Sequence, residues 1–310
     1  RSMPKAAHKK KSKPSLSIVG SGRMGTALAI AMSSAGYRIE AVVTRRPSGA
    51  KKAAALIGSA TSALTTNELD LLPPSKIVLI ATPDDEIAHA AQRLAGAQRN
   101  RVRGRIVLHT SGALSSDVLE PLAGIGFQVG SLHPLVSVSD PRTGPTNLRG
   151  AFYCIEGHAA AARVARAIVR DLNGRSFSIS SSNKPLYHAA AVMASGHVVA
   201  LFDLSTQMLV ECGLDQGDAR RVLRPLLEST VNNLLTSDPA TALTGTFARG
   251  DLATVHRHLS ALGRHGLLVA LNVYRALGVH ALDLTKKNGV DPQILDKISK
   301  ALESLPPLAK

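Results

Sequence analysis

Ser111, His133 and His188 are the side chains of this 310-residue chain best suited to moving a proton near neutral pH. An imidazole titrates in that range, and a serine hydroxyl nearby can hold a carbonyl or carboxylate oxygen. Such a set suits reactions in which negative charge develops on oxygen or nitrogen and a donor must stand within hydrogen-bond reach. Each histidine also has a structural reading, and His109, at the end of the apolar run 106–108, is assigned to it. A second set contains no proton carrier. Gly20-Ser21-Gly22-Arg23-Met24-Gly25 fits G-x-G-x-x-G, in which the glycines allow a tight turn, close approach of backbone to a pyrophosphate and close helix packing.

The glycine run has the context it needs. Residues 16–19 are an apolar strand, 26–35 (TALAIAMSSA) are small helix formers, Gly36 is a stop, and 38–43 resume an extended pattern. A pyrophosphate on Gly20 to Gly25 would meet the free N–H groups of a helix N-terminus. The next strand ends in Thr44-Arg45-Arg46, where an NAD site normally carries an acid for the ribose hydroxyls. A hydroxyl and two guanidiniums suit a 2′-phosphate, so the expected cofactor is NADP(H).

The remaining elements place the other groups. Strand 76–81 ends at Ala81-Thr82-Pro83 before a helix near 86–94, with Thr82 or Asp84 as its cap; strand 106–108 ends at His109 to Ala113; strand 127–132 ends at His133. In a parallel sheet the carboxyl ends of strands face one crevice, so Gly20 to Gly25, Thr82, Ser111 and His133 are expected to converge there. After the loop 137–150 come an extended segment 151–156, a helix 159–172 and a last strand 176–179. A helix beginning near Asn183 puts His188, Val192, Ser195 and Val199 on one face. Later helices are expected at 216–235, with a kink at Pro225, at 252–282 and at 292–302.

These readings define an α/β fold class: an N-terminal Rossmann-type doubly wound parallel sheet over 15–180, and an all-helical domain over 181–310. Residues 1–14, with six Lys or Arg and no acid, read as a disordered basic tail. The formal charge of +15 raises nucleic-acid binding, but the tail concentrates the charge and aromatics are only 3% of the chain, leaving few platforms for stacking bases. Arg99, Arg101, Arg103 and Arg105 precede a strand, on the edge opposite the crevice, and read as solvated charge. Two cysteines without CxxC spacing exclude a disulfide or zinc framework. The spacing of His256, His258 and His265 makes no joint ligand set, so no metal is expected. No apolar run reaches 18 residues, so a cytoplasmic location and no membrane contact are expected.

The blocks GSGRMGTALA, IVLIATPDDEI, LHTSGAL, SLHPL, YHAAAVMASGHVVAL and TALTGTFARGDLATVHRHL resemble, in chain order over about 15–300, the Rossmann-like proteins with a DUF2520 C-terminal domain. That family is similar to the β-hydroxyacid dehydrogenase and pyrroline-carboxylate reductase superfamily. The resemblance implies an NADP(H)-dependent oxidoreductase, usually dimeric, acting on a small carboxylate such as a ketopantoate-like 2-oxo acid, or on a cyclic imine. It also implies that Arg249 and Asp251, in the ARGD block, complete a substrate pocket with Ser195. Gly196 stands where the family commonly has Asn, and Thr246 where it has Pro; the first keeps open a non-catalytic NADP-binding sensor or partner-binding protein.

Overall fold

Short β-branched runs form the sheet, and alanine-rich segments form the helices that cover it. The computed structural model describes residues 12–58, 60–98 and 102–303; most of the basic tail, with Arg99 and Arg101, lies outside them. In chain order come β1 (Leu16–Val19), α1 (Arg23–Ser34), β2 (Ile39–Thr44), α2 (Pro47–Ile57), β3 (Ser62–Thr65), β4 (Ile77–Ile80), α3 (Asp84–Ala97), β5 (Ile106–His109), α4 (Glu120–Gly124) and β6 (Gln128–Pro134). Then follow α5 (Gly144–Leu148), β7 (Phe152–Gly157), α6 (Ala159–Asp171), β8 (Arg175–Phe177) and α7 (Lys184–Met193).

The eight strands form one sheet in the order β3-β2-β1-β4-β5-β6-β7-β8. Alternate residues of each central strand enter opposite layers. Ile18, Leu79 and Leu108 pack with α1, α2 and α6, whereas Val19, Ile80 and Val107 pack with α3 and α4. The sheet is therefore wound on both faces, as expected, but it is not wholly parallel. Strand β7 runs antiparallel to β6, with His133 opposite Cys154; the connection between them carries only the five-residue α5 and returns the chain beside β6. The order reverses between β1 and β4, which opens a crevice at their carboxyl ends.

Contacts divide the chain between Ser195 and Gly196, beyond the serine run at 180–183 where the boundary was expected; α7 thus belongs with the sheet. The second unit holds α8 (Gly196–Glu211), α9 (Gln216–Thr236), α10 (Pro239–Ala242), α11 (Gly245–Ala248), α12 (Leu252–Arg264), α13 (Leu268–Lys286) and α14 (Pro292–Glu303). The single helix expected over 252–282 is two, because Gly266 adopts φ +64°, in the left-handed region, and turns the chain between α12 and α13. Helix α9 runs through Pro225. The core of this unit is Val255, Leu259, Leu262, Leu271, Leu282, Leu295, Ile298 and Leu302. By contrast, Val199, Leu226 and Leu235 on α8 and α9 stand exposed. Residues Ser181–Glu211 are also long and apolar enough, by length and composition, to cross a membrane, an exception to the expectation drawn from uninterrupted apolar runs.

Candidate functional site

The turn after β1 is built to leave an anion site open. Gly20 has φ +101°, and a Cβ there would strike the backbone of Ala81 and Thr82, 2.6–2.7 Å away. A Cβ on Gly25 would run into the Gly20 carbonyl. At Gly22, the N-cap of α1, a Cβ would meet nothing within 4 Å. No side chain caps α1 and its first turn carries no acid, so its N–H groups are free for an external anion.

A cavity of about 480 Å³ extends from this turn. Gly20, Ser21, Gly22, Thr44, Arg45, Arg46, Ala81, Thr82 and Pro83 all line it. Arg23, Met24 and Gly25 do not; Met24 packs instead against the core beneath α1. The Thr44 hydroxyl donates to the Arg46 carbonyl at 2.6 Å, which shapes the turn before α2. Arg45 and Arg46 are exposed, without an ion pair among the described residues. The one acid in the lining, Glu86, is on α3 and not at the end of β2. Thr82 Oγ1 is buried and has no hydrogen-bond partner among the described residues. Neither Thr82 nor Asp84 caps α3. Asp84 instead accepts a hydrogen bond from the Ser111 hydroxyl at 2.8 Å.

The open space beside Gly22 and the orphaned Thr82 hydroxyl are what a dinucleotide would fill and satisfy. The residues present fit that group.

A second cavity, of about 580 Å³, lies along β6 and α7 and is lined by His133, Tyr187, His188 and Ser195 among apolar neighbours. His133 and His188 meet edge to face, their centroids 5.8 Å apart. Gly112 lets them approach; a Cβ there would sit 2.6–2.9 Å from both rings. Burial, then the neighbouring His188 and Lys184, depress the His133 pKa to about 4, so the ring is neutral at pH 7. Ser195 donates its hydroxyl to the Ala191 carbonyl at 2.7 Å.

Ser111 does not join this pair. Its hydroxyl donates to Asp84 and accepts from the amides of Ala113 and Leu114, which consumes it in closing the turn after β5. His109 is structural as expected, fully buried, accepting from the Ser111 amide at 3.1 Å and contacting the Ser115 carbonyl at 3.2 Å. Burial first and Lys184 second lower its pKa to about 3. In the helical unit Asp251 caps α12, bonding the Thr254 amide at 3.0 Å and hydroxyl at 2.7 Å. These bonds hold its carboxyl below the usual range. Arg249 is exposed at the end of α11.

Two residues near the histidines escaped the sequence reading. Tyr187 approaches His133 Nδ1 with its hydroxyl at 2.7 Å. Lys184 is fully buried, its ammonium donating to the Ser111 carbonyl at 3.1 Å and to Ser131 Oγ at 2.5 Å, with Glu156 at 3.7 Å. Glu156 in turn accepts from the amide and hydroxyl of Ser116. Burial lowers the Lys184 pKa against the opposing pull of Glu156.

Two family models match the chain: a Rossmann-like domain over residues 2–134, and a domain of unknown function, DUF2520, over 151–301. The chain carries a Rossmann-like domain followed by a DUF2520 domain. No curated relative matches its sequence. Among solved structures, a Bacteroides fragilis protein named as an NADP oxidoreductase is similar at 22% identity and TM-score 0.72, over 88% of this chain and 99% of that one. A Thermotoga maritima protein is similar at 22% identity and TM-score 0.68, over the same shares. A Plasmodium falciparum pyrroline carboxylate reductase solved with NADP bound is similar at 13% identity and TM-score 0.56, over 94% and 99%. At these identities the likeness establishes the fold that this chain shares with them.

Proposed function

We propose that this protein is an NADP(H)-dependent oxidoreductase that reduces a small 2-oxo acid, ketopantoate-like, or a cyclic imine. One observation carries the reading: the cavity on the glycine turn ends at Arg45 and Arg46, with no carboxylate at the end of β2. The similar proteins named as NADP oxidoreductase and as pyrroline carboxylate reductase support it.

When bound, the coenzyme supplies a hydride and the electron pair that goes with it. The chain's own residues do the rest. The N–H groups of α1 hold the pyrophosphate, Thr82 offers its unsatisfied hydroxyl, and Arg45 and Arg46 grip the 2′-phosphate. His133 and His188 face the second cavity, where a reducible carbon would sit beside Ala190, Ala191 and Val192.

Calorimetry is expected to show NADPH binding more tightly than NADH. Replacing both Arg45 and Arg46 with Ala should weaken NADPH about a hundredfold, from two lost charge-assisted contacts, while NADH changes little. Folded protein that takes up neither NADPH nor NADP⁺ overturns the proposal. Uptake without NADPH consumption across a panel of 2-oxo acids and cyclic imines returns the non-catalytic reading.

The exposed apolar residues of α8 and α9 form the surface of a homodimer in this proposal. Buried against a second copy, they would leave water as the hydrophobic effect requires. Light scattering on detergent-free protein should return twice the chain mass; a monomer, or material that needs detergent to stay dispersed, overturns it.

A further inference from the structure

We infer that Tyr187 is a positioning residue that fixes the ring proton of His133 on Nε2, so that the second cavity offers a neutral N–H donor to a lone pair, as on a carbonyl oxygen, and not to a protonated imine. The choice of a carbonyl over an imine rests on the reductase reading; the state of the imidazole stands apart from it.

The Tyr187 hydroxyl and His133 Nδ1 are 2.7 Å apart, and one proton lies between them. A phenol is a good donor and a poor acceptor, whereas the Nδ1 lone pair of a neutral imidazole is a good acceptor. Burial raises the Tyr187 pKa, so the phenol keeps its proton, and His133 is neutral at pH 7 with a single ring proton to place. The hydroxyl therefore donates to Nδ1, and the ring proton resides on Nε2. Were the roles reversed, the Tyr187 O–H would have no acceptor among the described residues. The ring is gripped besides by edge-to-face contact with Tyr187, which itself packs on Phe177.

The Nε2 edge is the working edge. It makes no hydrogen bond among the described residues, and it lies beside Gly112, where a Cβ would stand 2.9 Å from it and close the space. The ionisable groups around the ring are Tyr187, His188 and Lys184 on α7, His109 on β5, and Cys154 opposite on β7. No Asp or Glu lines the cavity, and Lys184 sits behind it. An iminium would bring a second positive charge into that setting, and its N–H could not accept from Nε2–H. A ketone can. As the new C–H bond forms, the carbonyl π pair moves to oxygen, where Nε2–H stabilises the charge. The alkoxide would then take its proton from water, the hydride being what a bound coenzyme would supply.

The test is ¹⁵N NMR of histidine-labelled, coenzyme-free protein at pH 7.5, with His133 assigned through His133→Gln. Wild type should show Nε2 protonated and Nδ1 bare, as a single tautomer. Tyr187→Phe should lose that signature, both nitrogens moving to averaged shifts. A proton on Nδ1 in wild type, or an unchanged spectrum in Tyr187→Phe, overturns the inference. Added pyruvate should shift Nε2 and added pyrrolidinium should not; a response to the cation, or to neither, overturns the carbonyl half. Because no coenzyme is present, these results are independent of whether NADPH binds.

Discussion

Lys184→Met is expected to destabilise the sheet unit by about 3 kcal/mol, in the range for breaking a buried ion pair on one side. The ammonium has no exposed surface, and its partners come from three segments: the turn after β5, strand β6 and strand β7. Methionine matches the stem but donates nothing. Glu156 then keeps its charge with only the Ser116 amide and hydroxyl, and the Ser111 carbonyl keeps only a long contact of 3.4 Å from Ser131. Adding Glu156→Gln should recover part of the loss by removing the stranded charge. Lys184→Arg should not, because a planar fork does not fit a cleft shaped for one nitrogen. Chemical denaturation of the single and double variants measures the coupling. If Lys184→Met unfolds at the wild-type midpoint, desolvation cancels the pairing and the buried ammonium holds nothing together. The same ammonium anchors the turn that carries Gly112 through the Ser111 carbonyl, so loss of stability should come with loosening beside His133.

Gly22→Ala should have the opposite signature, about a hundredfold weaker NADPH binding, or roughly 2.7 kcal/mol, with stability lowered by no more than about 1 kcal/mol because alanine caps a helix less well than glycine. Gly22 has φ −65°, which alanine adopts without strain, and its missing Cβ faces open space. Packing and backbone strain therefore give no reason for glycine here, and its preference as an N-cap is a modest one. The space belongs to the pyrophosphate, whose approach to the backbone a methyl group would block. Gly25→Ala is the control: its methyl collides with the Gly20 carbonyl, so it should damage folding and binding together. Paired thermal melts and NADPH titrations separate the cases. Wild-type affinity in Gly22→Ala would move the coenzyme off this turn.

What could be read beforehand was local. The strand, glycine turn and helix from Leu16 onward lie in one stretch, and their spacing fixes their geometry wherever the rest of the chain goes. The arginines after β2 were legible for the same reason. Strand direction was not, because β7 reads like any buried strand and only the connection before it makes it antiparallel. Lys184 follows Asn183 at the start of a helix, where lysine is ordinarily solvated; its burial depends on partners remote in sequence. Tyr187 stands next to His188, yet the turn of α7 hands its hydroxyl to His133, across from β6. Ser111 reads as a site hydroxyl, and its neighbours commit it to closing the turn after β5.

The strand order also bears on synthesis. β1 lies at the centre of the sheet, and its inner edge pairs with β4, Leu16 against Ile77 and Val19 against Ile80. A nascent chain leaving the ribosome therefore carries β1 with a bare row of amides and carbonyls until residue 80 has emerged, even if β2 has already joined the other side. Such an edge is adhesive. Translation pauses inside that window would be hazardous, and pauses after it comparatively safe.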